Sequence, residues 1–399
     1  MASLHFDPFD PGILDEPFAI HRRLRDETPA YYSEEFDCWF ISRFQDIWDL
    51  ESDQRNLSST HGTTTTHLLT HQTPVAPNLT SYDGDEHKRI RKYFNPHFLP
   101  GAARRLEPLA RELAAQAVDR ALERGGGDAV SELGGWLSVR MACTILGIPL
   151  RDADQILEWV NGYFDREPGH RGTTARGLRA AKELGLHLFG LSRHARQHGA
   201  PEGSVLEQLL NVELEGERAD DRAIAIHLNM MVIGGTETFP KIFSAALYRL
   251  AQHPEQRARC IADPALIPWA FHETLRFDMP THMLGRSVAN EFELHGQTLR
   301  PGSGIMFLWG SANRDEREFE QPGRFDVDRR APRILSFGAG QHQCLGAHVA
   351  RMEGRVLLEE LLRRAPEYRI DEAGVVRLQS EFFRGFQRMP LLLRGGDVG

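Results

Sequence analysis

Lysine is nearly missing from this chain of 399 residues. Of 47 basic side chains, only Lys88, Lys92, Lys182 and Lys241 are lysines. Positive charge therefore sits on arginine, which stays protonated at working pH and grips carboxylates with a planar fork. Basic residues are also outnumbered, 47 against 56 acidic, for a net charge of −9. That balance argues against nucleic acid as the main partner, because phosphate binding wants a basic face. Cysteine is scarce: Cys38, Cys143, Cys260 and Cys344 lie far apart. Their spacing excludes a C-x-x-C pair and a zinc knuckle, and it argues against a disulfide framework. We expect a reducing compartment, the cytoplasm. No apolar run approaches the roughly 20 residues of a spanning helix. The N-terminal segment lacks the basic-then-apolar order of a signal peptide, so no membrane anchor is expected. Apolar residues at 41% and charged residues at 26% exclude a disordered chain.

What is present is helical periodicity. Residues 17–27, 85–93, 102–124, 131–146, 152–164, 174–197, 264–277 and 345–364 read as helices. The longest pattern runs over 221–252 and contains Gly234-Gly235 and Pro240, which should distort it. Residues 30–32 and 38–41 read as a hairpin. Further strands fit within 287–298, at 305–308 and near the end of the chain. Gly125-Gly126-Gly127 reads as a turn, and residues 61–80 as a long irregular loop. No repeat, linker or composition shift divides the chain. The expected architecture is mainly α with small β-sheets, in a single large domain over 1–399.

Ser336-Phe-Gly-Ala-Gly-Gln-His-Gln-Cys-Leu-Gly346 is the most informative segment. Glycines let a backbone turn tightly and approach a flat ligand. Cys344 stands where a helix begins, facing free amides and the positive dipole end, which favour thiolate. That environment suits a metal ligand.

Phe337-x-x-Gly340-x-x-x-Cys344-x-Gly346 resembles the haem-binding signature of the cytochrome P450 family, in its bacterial form with histidine two residues before the cysteine. The resemblance implies the P450 fold, haem b as cofactor, Cys344 as proximal iron ligand and Phe337 against the haem. Thiolate donation in that family favours O–O cleavage. Glu273-Thr-Leu-Arg276 looks like the family's E-x-x-R pair, and Pro322-Gly-Arg324-Phe325 like the segment that adds a second arginine. Glu273, Arg276 and Arg324 are therefore expected to form a buried structural network. His87-Lys-Arg-Ile-Arg91 resembles the H-x-x-x-R helix, whose i, i+4 spacing puts both side chains on one face. By the same resemblance His87, Arg91, Arg286 and His342 would contact the haem propionates.

Gly234-Gly235-Thr236-Glu237-Thr238 resembles the family's acid–alcohol motif. Dioxygen needs a groove beside the iron and two protons before its bond breaks. An acid next to an alcohol can relay them. The resemblance assigns Glu237 as the proton-supply acid and Thr238 as the hydroxyl beside the reacting oxygen. Phe239-Pro240 departs from the common pattern. Pro240 clashes with the carbonyl four residues back, so it should reinforce the distortion, with Phe239 as a wall of the groove.

His61, His67 and His71 fall in one stretch, where an access loop is a better reading than a zinc site. His282 is read either as a polar contact to substrate or as a solvated loop residue. Ile233, Phe239, Met283 and Phe386 are read as pocket lining, indicating an apolar substrate. No flavin domain is recognised, so electrons are expected from a separate ferredoxin and its reductase. A basic docking face is expected from Arg89, Arg104, Arg105, Arg351 and Arg355. Two alternatives stand beside the monooxygenase: a peroxide-driven or non-oxygenating haem-thiolate enzyme, and a haem-binding sensor.

Overall fold

Several helices begin on a side chain that caps them. Thr174 Oγ1 accepts from the Gly177 amide and Asp220 Oδ1 from the Ala223 amide, which satisfies donors that the first turn leaves free. The computed structural model describes residues 4–72, 76–167, 171–214 and 216–393. The helices that matter here, numbered for this account, are α1 Phe44–Leu50, α2 Gly84–Phe98, α3 Pro100–Glu123, α4 Trp136–Leu146 and α5 Ala153–Tyr163. They continue with α6 Ala175–His198, α7 Asp221–Thr236, α8 Thr238–Gln252, α9 Pro254–Ala262, α10 Ile267–Phe277 and α11 Ala347–Arg364. The expected helix over 221–252 is thus two helices, parted at Glu237. Residues 129–135 form a π-helical turn ahead of α4.

The strands are short. β1 Ala30–Ser33 and β2 Cys38–Ile41 form the expected hairpin. β3 Leu57–Ser58, β5 Met283–Val288 and β6 Gly304–Leu308 join them in the order β1-β2-β6-β5-β3. Only the β2–β6 pair is parallel. Gly126–Asp128, read as part of a turn, is strand β4. It pairs with Pro390–Leu392 in a second small sheet.

Helix packing builds one large core, in which α3 lies along α11 and α7 packs against α4 and α6. A smaller core gathers Phe6, Leu24, Phe36, Phe40, Met283 and Met306 around the hairpin. Among the described residues no helix is long and apolar enough to cross a membrane.

One expectation about the core is corrected. Glu273 and Arg276 do meet, with Oε1 2.6 Å from Nη2 and Oε2 2.8 Å from Nε. The arginine that completes the set is Arg329, whose Nε donates to Glu273 Oε1 at 3.1 Å. Arg324 contributes its carbonyl, which accepts from Arg276 and Arg329 at 3.3 and 3.0 Å. Its side chain is 65% exposed and, among the described residues, pairs only with Asp326, at 3.7 Å. Arg329→Ala should therefore destabilise the protein by about 2–3 kcal/mol, since it strips a cation from a buried carboxylate. Arg324→Ala should cost no more than about 0.5 kcal/mol. Denaturant titration of the two variants distinguishes them; equal losses would contradict the reassignment.

Candidate active site

The cysteine loop is tied to the core before it reaches Cys344. The Leu335 amide donates to Asn313 Oδ1 at 2.8 Å, and Ser336 Oγ donates to the Leu275 carbonyl at 2.7 Å. The Cys344 amide donates to the Phe337 carbonyl at 2.8 Å, so the two signature residues close one turn. Cys344 lies just ahead of α11, and it is exposed in a loop whose neighbours are exposed or half-buried. Burial pushes the thiol up, while the Gly346 and Ala347 amides and the Arg91 and Arg351 guanidiniums pull it back. These are the groups a thiolate needs around it.

Beside the loop stands a group of histidine and arginine side chains. His87 and Arg91 project from one face of α2, one helical turn apart. Arg91 donates to the carbonyls of Gln341 and Gln343 at 3.0 and 2.5 Å. The His87 and His342 rings lie 4.3 Å apart. His342 Nε2 is 3.4 Å from Asp83 Oδ1 and 3.2 Å from Ser59 Oγ. Burial works against the Asp83 charge, but hydrogen bonds from His342 and Ser58 bring its carboxyl to about 2. Burial, with His342 and Arg91 adding to it, pushes His87 down to about 3. Among the described residues neither His87 ring nitrogen has a hydrogen-bond partner. A buried polar group without a partner costs about 1–3 kcal/mol, and a carboxylate is the partner this cluster suits. Arg286, on β5, is 7% exposed; among the described residues its guanidinium donates only to the Gly285 carbonyl, at 2.7 Å. The structure thus gathers His87, Arg91, His342 and Cys344. An accessible cysteine under amide donors, beside a buried histidine without partners and two arginines, fits a haem with two propionates.

The break between α7 and α8 lies at the acid–alcohol motif. Thr236 Oγ1 donates to the Val232 carbonyl at 2.7 Å and Thr238 Oγ1 to the Gly234 carbonyl at 3.2 Å. Such back-bonding bends helices. Gly234 and Gly235 are accessible in mid-chain, and a Cβ on Gly234 would meet nothing. Pro240 acts as expected: no amide is there to bond the Thr236 carbonyl, and the helix parts one residue beyond Thr236. Phe239 does not wall the groove. It is 2% exposed and stacks towards Phe243 and Phe271, with centroids 6.0 and 6.4 Å away.

The partner of Glu237 escaped the sequence reading. Lys241 Nζ pairs with Glu237 Oε1 and also donates to the Glu237 carbonyl at 3.1 Å. Both side chains are buried, and among the described residues Glu237 Oε2 has no partner. Burial raises the Glu237 pKa, while Lys241 and, more weakly, Arg166 oppose it. The i, i+4 spacing, on one of four lysines, was the available signal. Arg166 itself pairs with Glu381 at 3.4 Å.

Other readings shift. Met283 belongs to the smaller core, and Phe386 packs on Tyr248 with centroids 5.0 Å apart. Both are buried in these cores, and Ile233 is half-buried on α7. His282 is 6% exposed, not solvated. His61 Nδ1 meets Ser287 Oγ at 3.1 Å. Among the described residues no group of three potential ligands could hold a metal. Arg351 stacks on Phe337 at 4.3 Å. Arg355 is tied to Glu107 at 2.6 Å and Glu359 at 3.2 Å, and Arg89 to Glu86 at 2.7 Å. Of the five expected docking arginines, Arg104 and Arg105 stay exposed.

Two buried histidines set an acid limit. Burial lowers His227 to about 4, and burial with Arg384 lowers His282 to about 3. Unfolding restores a value near 6.5, so the unfolded chain binds more protons below that pH. Their contribution is complete above about pH 6.5 and is lost as pH falls toward 4, at up to about 1.4 kcal/mol per unit for each. His227 lies between Tyr82 and Phe94, so His227→Phe should flatten the profile. Identical acid unfolding curves would refute this account.

The cytochrome P450 profile matches residues 194–366. A Mycobacterium tuberculosis protein named as cytochrome P450 number 123 is 36% identical over 390 residues, covering 97% of this chain and 96% of the relative. The solved structure of cytochrome P450 CREJ, in complex with (4-ethylphenyl) dihydrogen phosphate, is similar at a TM-score of 0.85 and 27% identity. It covers 98% of this chain and 100% of that one. The fold alone is shared with a mutant of P450 EryK, at a TM-score of 0.87 and 24% identity over 97% and 99% of the two chains. With a cysteine loop and cation cluster suited to haem b, and full-length likeness to these proteins, the chain belongs to the cytochrome P450 family of haem-thiolate monooxygenases.

Proposed function

We propose that Cys344 holds haem b and that the enzyme inserts one oxygen atom from O2 into an apolar small organic molecule. Electrons come from a separate ferredoxin and ferredoxin reductase in the cytoplasm. The observation that carries this reading is the buried His87 ring without partners, grouped with Arg91 and His342 around the loop of Cys344. When bound, the haem supplies dioxygen activation and oxygen-atom transfer. Cys344 would bind the iron as thiolate, and the Gly346 and Ala347 amides with Arg91 and Arg351 are the groups that offset the pull of burial toward the neutral thiol. Phe337 lies at the start of the loop and braces it through its carbonyl. Arg91 and Arg286 would offset the propionate charges, and His87 and His342 would offer ring N–H donors to them.

Thr238 holds its hydroxyl at the Gly234 carbonyl, on the accessible edge of the helix break. There it can donate to the reacting oxygen and accept a proton in return. Glu237 is the acid that supplies that proton. Its free Oε2 is the atom available, since Oε1 is held by Lys241.

The test begins with reduction under carbon monoxide, which should give a thiolate-type absorption band. Apolar compounds that shift the ferric spectrum are then turned over with ferredoxin, its reductase and O2. Turnover with hydrogen peroxide alone, and none with the redox proteins, would favour the peroxide-driven alternative. No turnover by either route would favour a sensor.

A further inference from the structure

Glu51 follows helix α1 and is 4% exposed. Its carboxylate reaches two elements of the site. Oε1 accepts from Trp309 Nε1 at 2.7 Å, and Oε2 accepts from the Ala339 amide in the cysteine loop. The loop is shaped around this residue. Gly338 and Gly340 both have left-handed backbones, with φ of 63° and 65°. A Cβ at Gly340 would stand 2.4 Å from the Glu51 carbonyl oxygen, and one at Gly338 would stand 3.4 Å from both carboxylate oxygens. Glycine is thus required at 340 where the loop closes on residue 51, and the left-handed backbone favours it at 338.

The third neighbour is electrostatic. Arg286 is buried and has no ion pair recorded among the described residues; Glu51 and Asp83 are the anions that act on it. The donors that touch Glu51 are neutral, so Arg286 is the cation that offsets its charge. A buried anion held only by neutral donors is costly, and burial brings this carboxyl to about 7.

We propose that Glu51 is a positioning residue for the haem reaction, clamping the cysteine loop through Ala339 and supplying the counter-charge of Arg286. This rests on the reading of Cys344 and Arg286 given under the proposed function. An anion near the haem disfavours the added electron. As Glu51 deprotonates, the ferric–ferrous midpoint should fall. Arg286 from β5 is the charged group acting directly on it, with Trp309 and the Ala339 amide as neutral partners.

The experiment uses the haem-loaded protein. The parent midpoint should fall through neutral pH by up to about tenfold in the equilibrium, about 59 mV for one electron. Glu51→Gln should hold the high value with no slope. It should also release haem to excess apomyoglobin about tenfold faster, because one loop donor faces an amide instead of an oxygen. Trp309→Phe removes one donor and keeps the charge, so its release should quicken while its pH slope remains. A Glu51→Gln midpoint that tracks the parent, with release within about twofold, overturns the inference. If Glu51→Gln does not retain haem, the parent and Trp309→Phe decide: a flat midpoint between about pH 6 and 8 overturns it. A parent with the thiolate band and a flat midpoint would sink the Glu51 inference and leave the cysteine assignment standing.

Discussion

Cys344→His should abolish the thiolate-type band of the reduced, carbon monoxide-treated protein and lower turnover by more than about a hundredfold. Partners one shell removed from a metal already cost 10–100-fold on mutation, and the axial ligand itself acts more directly. Histidine can still ligate iron, so the variant should retain haem with a shifted spectrum. The loop is held by Asn313, Leu275 and the Phe337 carbonyl, none through the cysteine side chain, so the fold should survive. Haem retention separates lost ligation from lost folding. A surviving thiolate band would mean that another residue is the ligand, and Cys38, Cys143 and Cys260 are all buried.

Thr238→Ala should divert electrons from product to hydrogen peroxide, with reduced nicotinamide still consumed. The hydroxyl is the polar group that this side chain offers at the accessible edge of the break. Glu237→Gln should instead slow oxygen consumption, by about a hundredfold or more if the group is a true general acid. That variant also strands Lys241, a buried cation whose partner is gone. Pairing Glu237→Gln with Lys241→Met separates the two effects, because a double-mutant cycle isolates the coupling. If the double variant regains the parent rate, the single variant's defect was the stranded charge. Unchanged product yield per electron in Thr238→Ala would remove the hydroxyl from the mechanism.

The loop and the α2 cluster were legible because their residues are fixed by short-range spacing. A cysteine between glycines, and a histidine and arginine four apart, declare their geometry locally. The helix break was legible for the same reason, from Pro240 and Gly234-Gly235. What escaped depended on distant chain. Arg329 replaces Arg324 because the carbonyl of Arg324 is what faces the network, which no motif records. Phe239 turns to Phe243 and Phe271, a choice made by α10 packing. Strand β5 begins four residues before the expected 287–298 span, because its buried run includes Gly285 and Arg286 and does not alternate. Helices α1 and α9 were not read at all; they are short, and charged residues interrupt their apolar stripes.

The lysine distribution has a practical consequence. Lys88, Lys92 and Lys182 point to solvent, while Lys241 is sealed beside Glu237. Lys88 and Lys92 stand one turn apart on α2, the helix whose His87 and Arg91 meet the cysteine loop. Amine coupling to an electrode or resin therefore has few side chains to choose from, and two of them share one patch of α2. A film attached by that route would have few orientations, one of them set by the helix that carries His87 and Arg91.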